Sequence, residues 1–93
     1  MNIEEIEEML LKIMKEIYPY IEWDTYSQMD EDEWVDSQVY DSKNCVFKVT
    51  LTRARELSVS NDQVSTVTST LKYIDYDYIK ERIIYICTLY RIP

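Results

Sequence analysis

The sequence predicts an α+β fold with an N-terminal helix, a small antiparallel sheet of about three strands, and then two C-terminal helices. Three patterns predict this order: helical spacing of apolar residues at the start of the chain, alternation of apolar and polar residues in the middle, and helical spacing again towards the end. A chain of 93 residues builds one hydrophobic core. Residues 1–93 are therefore expected to form a single domain.

The first helix is predicted over residues 3–17. Its apolar residues lie three, four or seven positions apart and form one stripe, which comprises Ile3, Ile6, Leu10, Ile13, Met14 and Ile17. Asn2 is the expected N-cap, and two glutamates in the first turn suit the positive end of the helix dipole. The helix is expected to end at Tyr18, because a residue before proline is disfavoured in the helical conformation.

The sheet is predicted from residues 21–26, 34–40 and 45–53, with a polar loop at 28–33 and a hairpin turn at 41–44. Alternation places Val35 and Val39 on one face of the second strand, and the opposite face receives Trp34, Asp36, Gln38 and Tyr40. The third strand presents an apolar face formed by Cys45, Phe47, Val49 and Leu51. Cys45 and Cys87 are accordingly expected to be reduced, buried side chains.

The last third of the chain leaves helix and strand open as alternatives. Ser60 and Gln63 match a capping box, and helical spacing follows at Val64, Val67, Leu71 and Ile74. The threonines and valines of residues 62–74 favour a strand instead. A final helix over residues 79–92 is predicted to begin at Asp75 or Asp77, with Ile79, Ile83, Ile86, Cys87 and Tyr90 facing inward. A β-branched run keeps a strand open there too.

The chain contains neither glycine nor histidine. Phosphate-binding loops and dinucleotide fingerprints need glycine, since only glycine permits their backbone conformations. Histidine is the usual general base and the commonest metal ligand. Two distant cysteines cannot hold zinc alone, and the acidic run lacks the ligand spacing of a calcium loop. The sequence therefore predicts a binding protein rather than an enzyme, with no catalytic residue, no cofactor and no metal site.

The negative charge is concentrated in the first half of the chain. Residues 1–41 contain thirteen acidic and two basic side chains, whereas residues 42–93 contain five acidic and eight basic ones. The net charge of the whole chain is −8. Such a field repels nucleic acid and anionic membranes and favours a basic protein surface. The acidic start lacks the features of a signal peptide, and the longest apolar run is too short to span a bilayer. A cytoplasmic location is therefore expected.

The candidate partner-binding residues surround a densely acidic segment. They are Asp24, Asp30, Glu31, Asp32, Glu33, Trp34, Asp36, Tyr40 and Asp41. Aromatic anchors inside a charged rim are typical of protein interfaces, and ordered carboxylates can occupy a groove that normally binds phosphates. The alternative is a solvated loop with Trp34 packed inside. A second alternative is a nucleic-acid platform of tyrosines and basic residues in the second half, which the net charge opposes.

In size, charge and the acidic segment from Asp30 to Asp36, with Asp24 and Asp41, the chain resembles the small inhibitor proteins that phages and archaeal viruses encode against host defence, including anti-CRISPR proteins. Immunity proteins that block toxic nucleases look similar. The resemblance implies an inhibitor of a basic, nucleic-acid-handling host protein, acting in the host cytoplasm through nucleic-acid mimicry. The alternative is a non-catalytic structural protein of a virus or mobile element, homodimerising through an exposed strand edge.

Overall fold

A five-stranded antiparallel sheet and two helices form the fold in the computed structural model, which describes residues 2–93. The strands follow one another in spatial order as they do in sequence, so each pairs with the next along the chain. The elements are α1 (Ile3–Ile17), β1 (Trp23–Asp30), β2 (Glu33–Asp41), β3 (Lys48–Thr52), β4 (Glu56–Ser60), β5 (Val67–Thr70) and α2 (Tyr76–Leu89). The α+β class, the N-terminal helix and a C-terminal helix are confirmed.

The first helix begins and ends where the sequence predicts. The Asn2 side chain accepts a hydrogen bond from the Glu5 backbone N–H at 2.9 Å, and the Glu5 carboxylate accepts one from the Asn2 backbone N–H. This capping box satisfies amide groups that a helix start otherwise leaves unpaired. The buried residues of α1 are Ile6, Met9, Leu10, Ile13 and Met14, whereas Ile3 and Ile17 at its ends are half-buried.

The core lies on one face of the sheet only. Alternate strand residues point towards the helices and are buried, among them Trp23, Val39, Val49, Leu51, Leu57 and Val59. The buried residues of both helices belong to the same apolar cluster. The residues between them on the strands point the other way, and the sheet's opposite face presents Thr50, Ser58, Thr68 and other polar side chains.

The prediction of about three strands and two C-terminal helices is wrong. Strand β5 takes the place of the first of those helices, and β4 forms over residues 56–60, for which no element was predicted. Ser60 does not cap a helix, because it ends β4, and the Asn61 side chain instead closes a turn by accepting hydrogen bonds from the backbone N–H groups of Gln63 and Val64. The β-branched composition of residues 62–74 outweighs their helical spacing.

The second predicted C-terminal helix exists as α2. Asp75 caps it, accepting a hydrogen bond from the Tyr78 backbone N–H at 3.1 Å. Ile79, Ile83, Ile86 and Cys87 are buried as predicted. Tyr90 is not, because the helix ends at Leu89 and the chain turns at Arg91 to bury Ile92 instead.

The third predicted strand is shorter than expected, and this changes the environment of Cys45. It runs from Lys48 to Thr52, and Cys45 lies exposed in the β2–β3 turn. The Cys45 backbone N–H donates to the Asp41 carbonyl at 2.7 Å, and its φ of 57° is left-handed rather than extended. The prediction of a buried Cys45 is therefore wrong. Both thiols are free as predicted, and burial raises the pKa of Cys87.

Residues with left-handed backbone occupy the tight turns in place of glycine. Glu31, Cys45 and Arg55 have φ between 57° and 66° and lie in the three successive hairpin connections from β1 to β4. Arg55 is the last residue of the three-residue connection between β3 and β4, a position that glycine usually occupies in such turns. A non-glycine residue in this conformation costs roughly 1–2 kcal/mol. The glycine-free chain therefore forms these turns at a cost that the core must offset.

Replacing Leu51 with alanine tests the location of the core. Leu51 is fully buried on the helix-facing side of β3, so the change should lower the free energy of unfolding by about 2–5 kcal/mol. Val35→Ala is the control, because Val35 is exposed and should change stability by less than about 1 kcal/mol. Urea titration followed by circular dichroism measures both, and equal stability of the two variants would reject this core.

The positive φ of Glu31 allows a second prediction about stability. Glu31→Gly should unfold with a free energy about 1 kcal/mol higher than Glu31→Ala, because glycine adopts a positive φ without a steric cost. The comparison with alanine removes the effect of the lost charge. At Asp32, whose φ is not positive, glycine should give no such advantage over alanine. The same advantage at both positions would contradict this explanation.

Candidate protein-binding site

The nine predicted partner-binding residues all lie on the β1–β2 hairpin or in the turn that joins its strands, and most of them lie at one or other of its two ends. Asp30, Glu31, Asp32 and Glu33 form the tip. Asp24, Tyr40 and Asp41 lie at the open end, where β1 begins and β2 finishes. Asp24 and Asp30 are six positions apart on an extended strand, which is a distance of about 20 Å. The predicted residues therefore do not form one compact cluster.

The residues at the open end make local contacts. The Tyr40 hydroxyl donates to the Asp24 carboxylate at 3.4 Å, and the negative charge of Asp24 raises the pKa of Tyr40. Asp24 also accepts a hydrogen bond from the Thr25 backbone N–H at 2.8 Å. Asp41 accepts from the Lys43 backbone N–H at 3.0 Å and so helps to form the following turn. Asp36 lies between the two ends, on the face opposite the helices.

A β-bulge changes the face on which Trp34 lies. Gln28 is paired with Asp36 and Met29 with Trp34, so Val35 has no partner on β1. Because one extra residue reverses the alternation, Trp34 joins Met29 on the helix side, contrary to its predicted place beside Asp36. Trp34 is half-buried and packs against the core, which is the structure that the sequence left open as an alternative to an exposed anchor.

The hairpin tip carries exposed carboxylates with a single basic partner. Arg53 in the β3–β4 turn forms an ion pair with Glu33. The second ion pair within residues 2–93 joins Glu16 to Lys80. Asp30, Glu31 and Asp32 therefore form no ion pair with a basic side chain of the described residues. The polar loop predicted over residues 28–33 is wrong: the strands continue to a two-residue turn, Glu31–Asp32, so these exposed carboxylates lie at the end of a paired hairpin.

The first helix adds carboxylates that the site prediction left out. Glu4, Glu7 and Glu8 line an open cleft of about 230 Å³ together with Leu11 and with Thr25 of β1. The start of α1 also reaches the tip, where Ile3, Met29, Asp32 and Arg53 line a common depression. We call the two groups of carboxylates next to β1 the acidic edge: Glu4, Glu7 and Glu8 of α1, and Asp30, Glu31 and Asp32 of the hairpin. The spacing of the glutamates on one helical face, beside the apolar stripe, was the signal available in the sequence.

The C-terminal half of α1 contacts basic and aromatic side chains. Lys80 of α2 binds Glu16 at 2.6 Å, Tyr76 donates a hydrogen bond to the same carboxylate, and Lys12 lies over the Tyr76 ring. The hydrogen bonds from Lys80 and Tyr76 lower the pKa of Glu16, and the bond to Glu16 raises the pKa of Tyr76 to about 12. These contacts join α1 to α2 and pair Glu16 with a basic side chain.

Part of the alternative tyrosine platform is also assembled. Tyr73 packs on Tyr78 with ring centroids 4.7 Å apart, and Arg82 lies within 6 Å of the ring centroids of Tyr78 and Tyr85. Hydrogen bonding from the Lys72 backbone N–H, together with the nearby Arg82, lowers the pKa of Tyr78. Tyr76 instead contacts Glu16. The Arg82 guanidinium therefore lies over the Tyr78 and Tyr85 rings, where nucleic-acid bases would have to stack.

The described residues bring no three cysteine, aspartate or glutamate side chains together in an arrangement that holds a metal ion. Neither helix of residues 2–93 has the length and hydrophobicity needed to cross a membrane. Comparison of the chain with protein families, with curated proteins and with solved structures finds no match.

Replacing Trp34 with alanine tests its role as a support for the hairpin tip. Because the side chain is half-buried against the core, the free energy of unfolding should fall by about 2 kcal/mol, less than the 3–5 typical of a fully buried tryptophan. Trp23→Ala is the matched control and should cost more, since Trp23 is buried and packs on Phe47. Chemical denaturation compares them, and unchanged stability of the Trp34 variant would make Trp34 a surface anchor instead.

Proposed function

We propose that the protein binds a basic protein surface through the acidic edge and thereby inhibits a nucleic-acid-handling protein of the host. One observation carries this proposal: two acidic segments that are distant in the sequence, the α1 glutamates and the hairpin tip, both lie next to β1, and the six carboxylates of the acidic edge have no basic ion-pair partner in residues 2–93. A protein that places this many like charges together without neutralising them stores repulsion that a basic partner relieves.

The proposed mechanism is competition for arginine and lysine side chains. Carboxylates and phosphates accept the same charge-assisted, often bidentate hydrogen bonds from guanidinium groups. Glu4 and Glu8 are one helical turn apart, and the tip residues project from a paired hairpin, so little conformational freedom is lost on binding. The partner's basic groove would then be occupied by the acidic edge and closed to nucleic acid. No step of this mechanism requires catalysis.

The apolar contribution to binding differs from the one expected from the sequence. Trp34 supports the tip from the core side, and Tyr40 lies at the far end of the hairpin. Met29, which is half exposed beside Trp34, directly precedes the acidic tip. We therefore assign the anchoring role to Met29 and the positioning of the tip to Trp34. The flexible thioether of methionine adapts to differently shaped partner surfaces.

Neutralising the tip tests this function. The triple variant Asp30→Asn, Glu31→Gln, Asp32→Asn should keep its fold but capture the partner from lysate of the source cells at least tenfold less efficiently. The matched control neutralises three exposed acids away from the edge: Asp62→Asn, Asp77→Asn and Glu81→Gln. Both variants have the same net charge, so a difference between them reports on position. The captured protein is identified by mass spectrometry and assayed for nucleic-acid binding with and without the bound chain.

Salt dependence completes the experiment. A charge-driven complex weakens as ionic strength rises, whereas an apolar homodimer does not. Capture by the wild type should therefore fall between 50 and 300 mM sodium chloride, and the tip variant should show a flatter response. The proposal is wrong if the tip variant and the control capture the same protein at the same salt concentration, or if the captured protein still binds its nucleic acid.

A further inference from the structure

The outer edge of β1 has backbone groups that pair with no other strand of the described chain. β1 is the first strand of the sheet order, so only its inner side meets β2. The Ser42 backbone N–H donates to the Glu22 carbonyl at 2.9 Å, which shows that the backbone groups of even-numbered residues in this segment point towards β2. By alternation, the N–H and C=O groups of Thr25, Ser27 and Met29 point outward. An eight-residue open edge of this kind is a template for another strand.

The space beside this edge is bounded by the glutamates of α1. Glu4, Glu7 and Glu8 form one wall of the cleft in which Thr25 lies, and Leu11 supplies apolar surface at its base. A strand added along β1 would direct every second side chain towards this wall. The hydroxyl side chains of Thr25 and Ser27 are small and leave the approach to the edge open. Backbone pairing and side-chain charge would thus act on the same added strand.

We propose that the β1 edge receives an extended segment of the basic partner, with arginine or lysine at every second position facing Glu4, Glu7 and Glu8. This inference rests on the proposed function and specifies how the partner is recognised. Main-chain hydrogen bonds to Ser27, to Met29 and to the Thr25 carbonyl supply affinity, since the Thr25 N–H already donates to the Asp24 carboxylate. The alternating cations supply selectivity. The register of the added strand follows from the outward-facing amides, because pairing shifted by one residue would turn the cations away from α1.

Charge excludes a second copy of the chain as the occupant. Pairing β1 with β1 of another molecule would place Asp24, Asp30 and the α1 glutamates of both molecules side by side. Like charges opposed across strands destabilise the pairing. The same carboxylates that attract a basic strand therefore prevent self-association through this edge, which is how many proteins protect open strands.

Two synthetic peptides of identical composition test the inference: one alternates arginine and threonine over eight residues, and the other places four arginines before four threonines. Isothermal titration in 50 mM sodium chloride should show the alternating peptide binding at least tenfold more tightly. Amide hydrogen exchange should slow at least tenfold at Ser27 and Met29 when this peptide is bound. Equal affinities, absence of binding, or unchanged exchange would overturn the inference.

A proline substitution separates edge pairing from charge. The N–H of Met29 points outward, so Met29→Pro removes a donor of the open edge and leaves the inward ladder bonds of β1 in place. The proline variant should bind the alternating peptide at least tenfold more weakly than Met29→Ala, which loses the same side chain but keeps the N–H. If the proline variant does not fold, the exchange measurement on the wild type decides.

The two proposals fail in different ways. If Met29→Pro binds the alternating peptide as the wild type does, while neutralising the tip still abolishes capture of the cellular partner, strand addition is wrong and charge recognition stands. If neutralising the tip has no effect on capture, the proposed function fails whatever the peptides do. A dimer in sedimentation analysis that Met29→Pro dissociates would assign the edge to a second copy and overturn the inference.

Discussion

Burial of the apolar stripe of α1 against the sheet is the contact on which the rest of the architecture depends. The helix packs on β1 and β2 and meets α2, and its buried residues join the strands into one core. With that face buried, the acidic residues of the helix must lie beside it, along β1. The arrangement that stabilises the fold therefore also places Glu4, Glu7 and Glu8 next to the open strand edge.

An aromatic cluster closes the core at the end of α1. Tyr18 and Trp23 both pack edge-on against Phe47, with ring centroids 5.1 Å apart in each pair. The Trp23 indole N–H donates to the Tyr18 carbonyl, and the Tyr18 hydroxyl donates to the carbonyl of Ile92 near the C terminus. These contacts tie the helix end, the start of β1 and the last residues together. They hold the β1–β2 hairpin at its open end, while Trp34 supports it near the tip.

A core on one face of the sheet leaves the molecule with several kinds of surface. The sheet face opposite the helices presents hydroxyl, amide and carboxylate groups to the solvent. The acidic edge and the open side of β1 share one boundary of the sheet. The patch around Arg82 lies on α2 and contains the aromatic groups that the second half of the chain contributes. At this boundary, carboxylates that have no basic ion-pair partner in residues 2–93 lie next to the unpaired backbone of β1.

The sequence alone determined the features that depend on neighbours along the chain. Helix α1 with its Asn2 cap, the Asp75 cap of α2, and the buried faces of β2 and β3 at Val39, Val49 and Leu51 follow from local spacing and capping chemistry. The acidic character of the first half is likewise a property of composition. Local patterns do not distinguish a strand from a helix when β-branched residues fall at helical spacing, as they do between Val64 and Ile74. The number of strands could therefore not be predicted.

Tertiary structure decided which carboxylates meet. The bulge at Val35 moved Trp34 to the core side, because pairing with β1 and not the local sequence sets where an extra residue is accommodated. Pairing also separated Asp24 and Asp41 from the tip by the length of the hairpin, and helix packing brought Glu4, Glu7 and Glu8 towards it. An edge strand is defined only by the absence of a neighbour in space. No pattern within the strand itself distinguishes it from one that is paired on both sides.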